Sequence, residues 1–470
     1  MKFNQLLQSS RLFNILFCLF PIAYIIGNFA INLITFFIIV IGTIAYKEEL
    51  LKFDNKKIIL FLISFFLILI VATAINHKIW EHDSLVKSLI YLRYLIFIII
   101  VSLIIKKNDI NLKHFLFSCL LCAGFLSLDV IFQSINGRDI FGLVAPKTHN
   151  SGFFGNELVA GTYIQRFFLL GVFLIPLVMN KEKKINFLFI VFLITGFTAV
   201  ILSGNRMPAV IFCAFIFLAF IFLRKMRYNF LITLLIIPFI YLLIIKNNKD
   251  ISLSHFSFWE NLNDMAPSIS SLLKREYPEL KEGMNITEEL KKKYPELGKD
   301  IDFRHAFKRG ILQSQKKFNK QYEIQIYGSG HVTIFVTAID TWLDSPFLGS
   351  GIKSFREKCK SKLNLPNRVC ESHPHNYYLD ILNSAGAIGL ILILISIFFI
   401  FKNLIRIYRL ETKKIDYVGY AVLLILLLEL FPIRSAGGFF STQSSTYIFL
   451  LLGMSWGLSR KIKNKKTYSE

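Results

Sequence analysis

The sequence predicts an all-α polytopic membrane protein of about 12 transmembrane helices, with one large loop on the outer side. Three observations predict it. The 470-residue chain is 54% hydrophobic, with 48 Phe and a mean hydropathy of +0.53. Its apolar runs repeatedly reach about 17 residues or more, enough for a helix to cross a ~30 Å hydrocarbon core. Basic residues also alternate from one connecting segment to the next, as they do in multi-pass proteins. Lipid offers no partner to an open backbone, so such runs must be helices.

The first apolar stretch, 12–46, is too long for one helix, and Gly27-Asn28 divides it into spans at 12–26 and 28–46. It is also too long for a cleaved signal peptide and has no small-residue cleavage site. Spans at 57–75, 86–105 and 114–132 follow, the fourth carrying Arg93. The sixth, 158–179, begins in the Gly-rich "SGFFGNELVAGTYIQR" with Glu157 and Arg166. The next two, 185–203 and 207–223, are separated only by a Ser-Gly-Asn-Arg turn, and 229–245 ends the first group. After a long interruption come 376–401, 415–432 and 443–459. Residues 1–245 therefore hold nine spans, 246–375 the loop with short helices, 376–459 three spans, and 460–470 a basic tail.

With the N-terminus inside, the short inner segments carry 25 Lys/Arg against 6 in the short outer ones. This bias puts both termini in the cytoplasm and the long loop outside. It also accounts for the +23 net charge and a pI near 9.6, which face anionic headgroups. No basic face interleaved with aromatics remains to suggest nucleic acid. Within the loop, "REYPELKEG" and "KKYPELGKD" repeat a YPEL core, read as two short surface helices rather than a repeat fold.

Cys18, Cys119, Cys122 and Cys213 fall in apolar spans, where a thiol packs as a small hydrophobe. Cys359 and Cys370 lie outside and are expected to pair in an oxidising compartment. Metal binding is the weaker alternative, because their spacing matches no common zinc pattern.

Ionisable residues at membrane depth or at its rim are functional candidates. Arg206 in "LSGNRMPAV" and Arg434 in "FPIRSAGGFFSTQSS" each sit in a turn of small residues at a helix end. Bidentate guanidinium groups beside open backbone amides suit a phosphate or pyrophosphate; the bland alternative is an arginine snorkelling to headgroups. In "SHPHNYYL", Pro374 can open a helix with Ser372 or His373 as cap, placing His375 in the first turn. There the positive helix end would keep its imidazole neutral, as a general base requires, although the same residue could merely cap the helix. His331 begins "GHVTIFVTAIDTWLDSPFLGSGIKSFR", read as an amphipathic helix returning to the membrane and ending in a Pro-Phe-Leu-Gly turn.

These segments together resemble the O-antigen ligase and polymerase superfamily of bacterial envelope glycosyltransferases. The carriers are "HNYYL" at 375–379 with Gly386 and Gly389 behind it, "SGNR" at 203–206, "DSPFLGSGIKSF" at 344–355, "FPIRSAGGFF" at 431–440 and "GFFGNELVAGTYI" at 152–164. The resemblance covers roughly 85–460. It implies a GT-C-like fold in the bacterial inner membrane with the active site on the periplasmic side. It also implies an inverting, metal-independent transferase that moves a glycan from undecaprenyl diphosphate. Carried over, His375 is the base, with Asn376 beside it, and Arg206 is the first diphosphate ligand. The family places an arginine where this chain has His331, so Arg434 or Arg166 would supply the second contact.

No metal or other cofactor is expected, because arginine can neutralise a diphosphate leaving group without a cation. The acceptor is lipid A-core for a ligase and another lipid-linked repeat for a polymerase. A ligase is the preferred form, and a protein-directed oligosaccharyltransferase is a third. The rival class is a lipid-linked glycan transporter, for which twelve spans with both ends inside would suit. Its usual repeated halves are missing, and the polar residues gather at one rim rather than at the midplane.

Overall fold

The computed structural model describes the chain except for residues 1, 52–55, 77–82, 146–148, 180–181, 249–250, 253–329, 363–368, 411–416, 433, 435–436 and 468–470. The YPEL repeat lies outside the described residues. Regular structure among the described residues is helical. In chain order the helices are α1 Lys2–Ile26, α2 Asn28–Ala45, α3 Lys47–Leu51, α4 Lys56–Ile75, α5 Asp83–Tyr91, α6 Arg93–Lys107 and α7 Leu112–Asn136. They continue with α8 Ala160–Gly171, α9 Leu174–Val178, α10 Glu182–Leu202, α11 Arg206–Phe222 and α12 Arg227–Asn247. The last are α13 Gly330–Leu343, α14 Phe355–Lys358, α15 Tyr377–Leu410, α16 Tyr417–Glu429 and α17 Thr442–Thr467.

Eight of the described helical stretches are long and apolar enough to cross a membrane, and Asn186–Leu202, Arg206–Phe222, Ile334–Leu343 and Val418–Glu429 are apolar but shorter. The expected count of twelve thus resolves into unequal members. Three of the short helices match expected spans, whereas Ile334–Leu343 lies in the stretch assigned to the outer loop. The expected last span, in α17, is not among the eight. Its residues 444–459 are all buried, against α6, α15, α16 and α2. A helix wrapped in protein needs no continuous apolar surface, so Ser and Thr are tolerated there. Leu60, Phe36, Phe117, Leu235 and Phe398 point outward from other helices and are exposed, as lipid-facing side chains are.

One helix is broken by design of the chain. Gly386 in α15 takes φ 65° and ψ −172°, and the freed backbone groups are met by the 345–351 turn. Ala387 N donates to Pro346 O (2.9 Å), Ile388 N to Phe347 O (3.2 Å), and Ser350 N and Gly351 N to Asn383 O and Ser384 O (2.8 and 2.9 Å). Irregular backbone at membrane depth requires such internal partners. Gly349 comes so close that a Cβ there would sit 2.5 Å from Gly386 N, and a Cβ on Gly386 would sit 2.1 Å from Phe347 O. We expect Gly386→Ala to lower stability by on the order of 3 kcal/mol, through left-handed strain plus overpacking. Thermal unfolding of the detergent-purified variant measures this, and an unchanged midpoint would show that the break can be repaired.

Candidate functional site

The loops and helix ends that carry the singled-out motifs meet at one end of the bundle. Asn205 fixes the Ser-Gly-Asn-Arg turn there: its Oδ1 accepts from Gly161 N (3.0 Å) and its Nδ2 donates to Leu158 O (3.1 Å). Gly161 has to be glycine, since a Cβ would lie 2.4 Å from Ser203 Oγ. The turn is thereby held on the start of α8, and Arg206 opens α11 beside His149. Burial, then Arg206, lowers the His149 pKa.

A turn further along α8, Arg166 points inward. Its Nη2 donates to Glu429 Oε1 (2.5 Å) and to Tyr377 Oη (3.0 Å), and its guanidinium lies 4.9 Å from the centre of the Tyr447 ring. Arg434 Nη1 donates to the other oxygen of Glu429 (2.5 Å), and its Nη2 approaches Gln165 Oε1 (3.3 Å). Tyr377 Oη completes the set, donating to Glu429 Oε1 at 2.9 Å. All of these side chains are buried. Two guanidinium groups share one carboxylate, so the cluster keeps one net positive charge. Arg434 is therefore not the open receptor expected from its Gly/Ser turn, because an acidic residue five positions earlier pairs with it.

Against this cluster lies a cavity of about 150 Å³. Arg166, Arg434, Ser441 and Ser444 give it polar walls, and Tyr24, Phe154, Tyr163 and Phe167 give it aromatic ones. His375, Arg206 and Glu157 do not line it; Pro208 does, two residues beyond Arg206. Glu157 is exposed.

The histidine segment differs from expectation in one respect. α15 begins at Tyr377, and its cap is Asn376, whose Oδ1 accepts from Tyr378 N (3.0 Å) and Leu379 N (3.2 Å). His375 thus precedes the helix rather than occupying its first turn, with φ at 54° in the left-handed region. Neither Ser372 nor His373 caps; Ser372 Oγ lies 2.9 Å from His373 Nδ1. Asn376 Nδ2 donates to Pro432 O (2.7 Å) and reaches Arg434 O (3.4 Å), so one side chain ties the histidines to the arginine loop. The His373 and His375 rings are 4.2 Å apart. Burial first, and His375 second, push the His373 pKa down to about 4, with Glu371 opposing. Because the unfolded ring binds its proton first, this residue favours folding less as pH falls from about 6.5 towards 4.

The histidines are tethered from behind. Cys359 and Cys370 are joined, Cα to Cα 5.1 Å, and Cys359 packs with Ile334, Ala338 and Phe355 in a small core over the start of α15. His331 falls in the first turn of α13.

Residues 190–394 match the family model described as O-antigen ligase. The chain belongs to the O-antigen ligase and polymerase superfamily. No curated protein and no solved structure matches it. The ligase-family segment runs from α10 to the far side of the α15 break and so contains Arg206, His331, His375 and Asn376. Glu157, Arg166, Glu429 and Arg434 lie outside it. The cavity is thus built largely from residues flanking the family segment, joined to it through Tyr377 and Asn376.

Proposed function

We propose that the protein is an O-antigen ligase-type glycosyltransferase. It moves a glycan from undecaprenyl diphosphate to a hydroxyl of lipid A-core at the periplasmic face of the bacterial inner membrane, with inversion and without a metal. The observation that carries this reading is the convergence of Arg166, Arg434 and Tyr377 on Glu429 beside a cavity, with His375 and Asn376 on the loop next to them.

Glu429 holds both guanidinium groups in place before substrate arrives, so little ordering remains when an anion binds. The net positive charge favours a diphosphate, and Arg206 stands at the neighbouring helix start to share it. The aromatic walls accept the apolar beginning of the lipid or a sugar face. His375 takes the proton of the acceptor hydroxyl as its oxygen bonds the anomeric carbon. The bond from that carbon to the diphosphate oxygen breaks, and the departing negative charge stays on the diphosphate among the arginines. Attack opposite the leaving group inverts the anomeric centre.

The polymerase form uses the same donor chemistry, and a gene deletion separates the two. Loss of every capped lipid A-core supports the ligase, whereas single-repeat caps support the polymerase. The transporter reading would draw on the broken helix α15, since carriers often bind substrate at such breaks. Here the chain's own 345–351 backbone fills the break, which argues against a solute site. Purified protein in detergent, with no second compartment, should turn over the lipid-linked donor. Arg206→Lys should reduce that turnover about 10–100-fold, since the planar fork is lost while the charge remains. Wild-type turnover in this variant would remove the diphosphate role of Arg206.

A further inference from the structure

A second basic centre lies on the other side of the arginine loop. Adjacent residues of that loop face different ways: Gly437 lines the cavity, while a Cβ on Gly438 would lie 3.1 Å from Asp380 Oδ2 and 3.2 Å from His373 Cβ. Asp380 is buried and accepts from Phe440 N at 3.4 Å. Lys353 faces this carboxylate and stands within electrostatic reach of Arg356, Lys87, Arg93 and His373. Four cations thus gather round one buried carboxylate, a larger excess of positive charge than at the Arg166–Glu429–Arg434 cluster.

The way Lys353 is held sets it apart from a surface lysine. It is one of three non-glycine residues with positive φ, at 57°, and His375 is another. Its neighbours Gly351, Ile352, Ser354 and Phe355 are buried while its own side chain is exposed. The strained residue is fixed from both sides. Gly351 N donates to Ser384 O (2.9 Å), Ile352 N to Thr73 Oγ1 (3.0 Å), and Ser354 Oγ to Asn383 O (3.0 Å). Strain maintained by this many bonds is a mark of functional positions. Arg93, held by Asn32 Oδ1 at 2.8 Å, keeps a buried Nε without a hydrogen-bond partner among the described residues.

We propose that Lys353, with Lys87 and Arg356, forms a second anion site that takes a phosphate group of the acceptor glycolipid. The inference rests on the transferase reading and names the class of acceptor, a phosphorylated lipid-linked saccharide. It gives the imidazole pair a position between two anion sites, one for the departing diphosphate and one for the incoming substrate. A transferase joining two anionic lipids needs that separation, because two phosphate-bearing substrates in one site would repel each other.

The test is equilibrium binding of a phosphorylated lipid A-core to the full-length protein in nanodiscs of zwitterionic lipid. Wild type is compared with Lys353→Asn, which removes the charge but tolerates the left-handed backbone, so the loop is retained. We expect affinity to fall about tenfold or more in the variant, the strength of a lost charged hydrogen bond. Wild type should lose the same factor when the glycolipid is first dephosphorylated, and that comparison leaves the protein unaltered. Binding of undecaprenyl diphosphate should be the same in both proteins. Equal binding of the two glycolipids by wild type overturns the proposal, as does a loss confined to the diphosphate lipid. Displacement of the glycolipid by phosphatidylglycerol alone would assign the site to bilayer headgroups and also overturn it. If binding behaves as expected but no glycan is transferred, the transferase reading fails while the phosphate site stands.

Discussion

Glu429→Gln is expected to cost about 3–5 kcal/mol of stability, the range for removing one partner from a buried ion pair. The substitution preserves size and removes only charge, leaving Arg166 and Arg434 facing each other with side chains 7% and 4% exposed. Set against a typical total of ~5–15 kcal/mol, this is a large share, and most of the variant should be lost before purification or melt far below wild type. The anion reading adds a second expectation. Pyrophosphate bound in the cavity would replace the missing negative charge, so it should raise the melting temperature of Glu429→Gln more than that of wild type. Thermal unfolding with and without pyrophosphate measures both. A variant that melts with wild type would show that the carboxylate is not needed to hold the arginines. Restabilisation no greater than that of wild type would remove the cavity as the anion site.

Glu429 also marks where reading the sequence stopped. The helix boundaries followed from apolar runs, and Gly27, the Ser-Gly-Asn-Arg turn and the Pro-Phe-Leu-Gly turn fell where the chain does change direction. Arg93, Arg166, Arg206 and Arg434 stood out as cations in apolar surroundings. The acidic residue in "LLLLELFPIRS" satisfied the same criterion and should have been ranked with them. Its partners were not legible, because Arg166 and Glu429 are 263 residues apart and no spacing rule joins helices that distant. The start of α15 was misplaced for a local reason. Pro374 looked like a first helical residue, but the left-handed backbone at His375 ends any helix begun there and transfers the capping role to Asn376. The Gly386 break had a visible glycine but no visible partner, since the turn that fills it is some forty residues upstream (about one re-entrant segment away). The low apolarity of α17 reflects its neighbours, which a hydropathy profile does not contain.

Those corrections sharpen the test of the base. His375 is expected to be needed for transfer and dispensable for assembly, because it precedes α15 and Asn376 provides the cap without it. Alanine is a poor probe, since a side chain in the left-handed region costs about 1–2 kcal/mol for most residues. Asparagine tolerates that conformation and cannot accept the proton, so His375→Asn isolates the chemistry. We expect the variant to reach the membrane at wild-type level and bind donor normally, with turnover reduced ~10²–10⁴-fold, the usual contribution of a general base. His373→Asn should keep most of the turnover. With its pKa near 4, that ring holds a proton too weakly to draw one from a hydroxyl near neutral pH. Its stacking on His375 gives it a positioning role at most, and the expected mark of that role is a shifted acid limb in the pH–rate profile. If His373→Asn is the inactive variant and His375→Asn turns over normally, the proton goes to the buried ring. If both variants transfer at the wild-type rate, neither imidazole takes the proton.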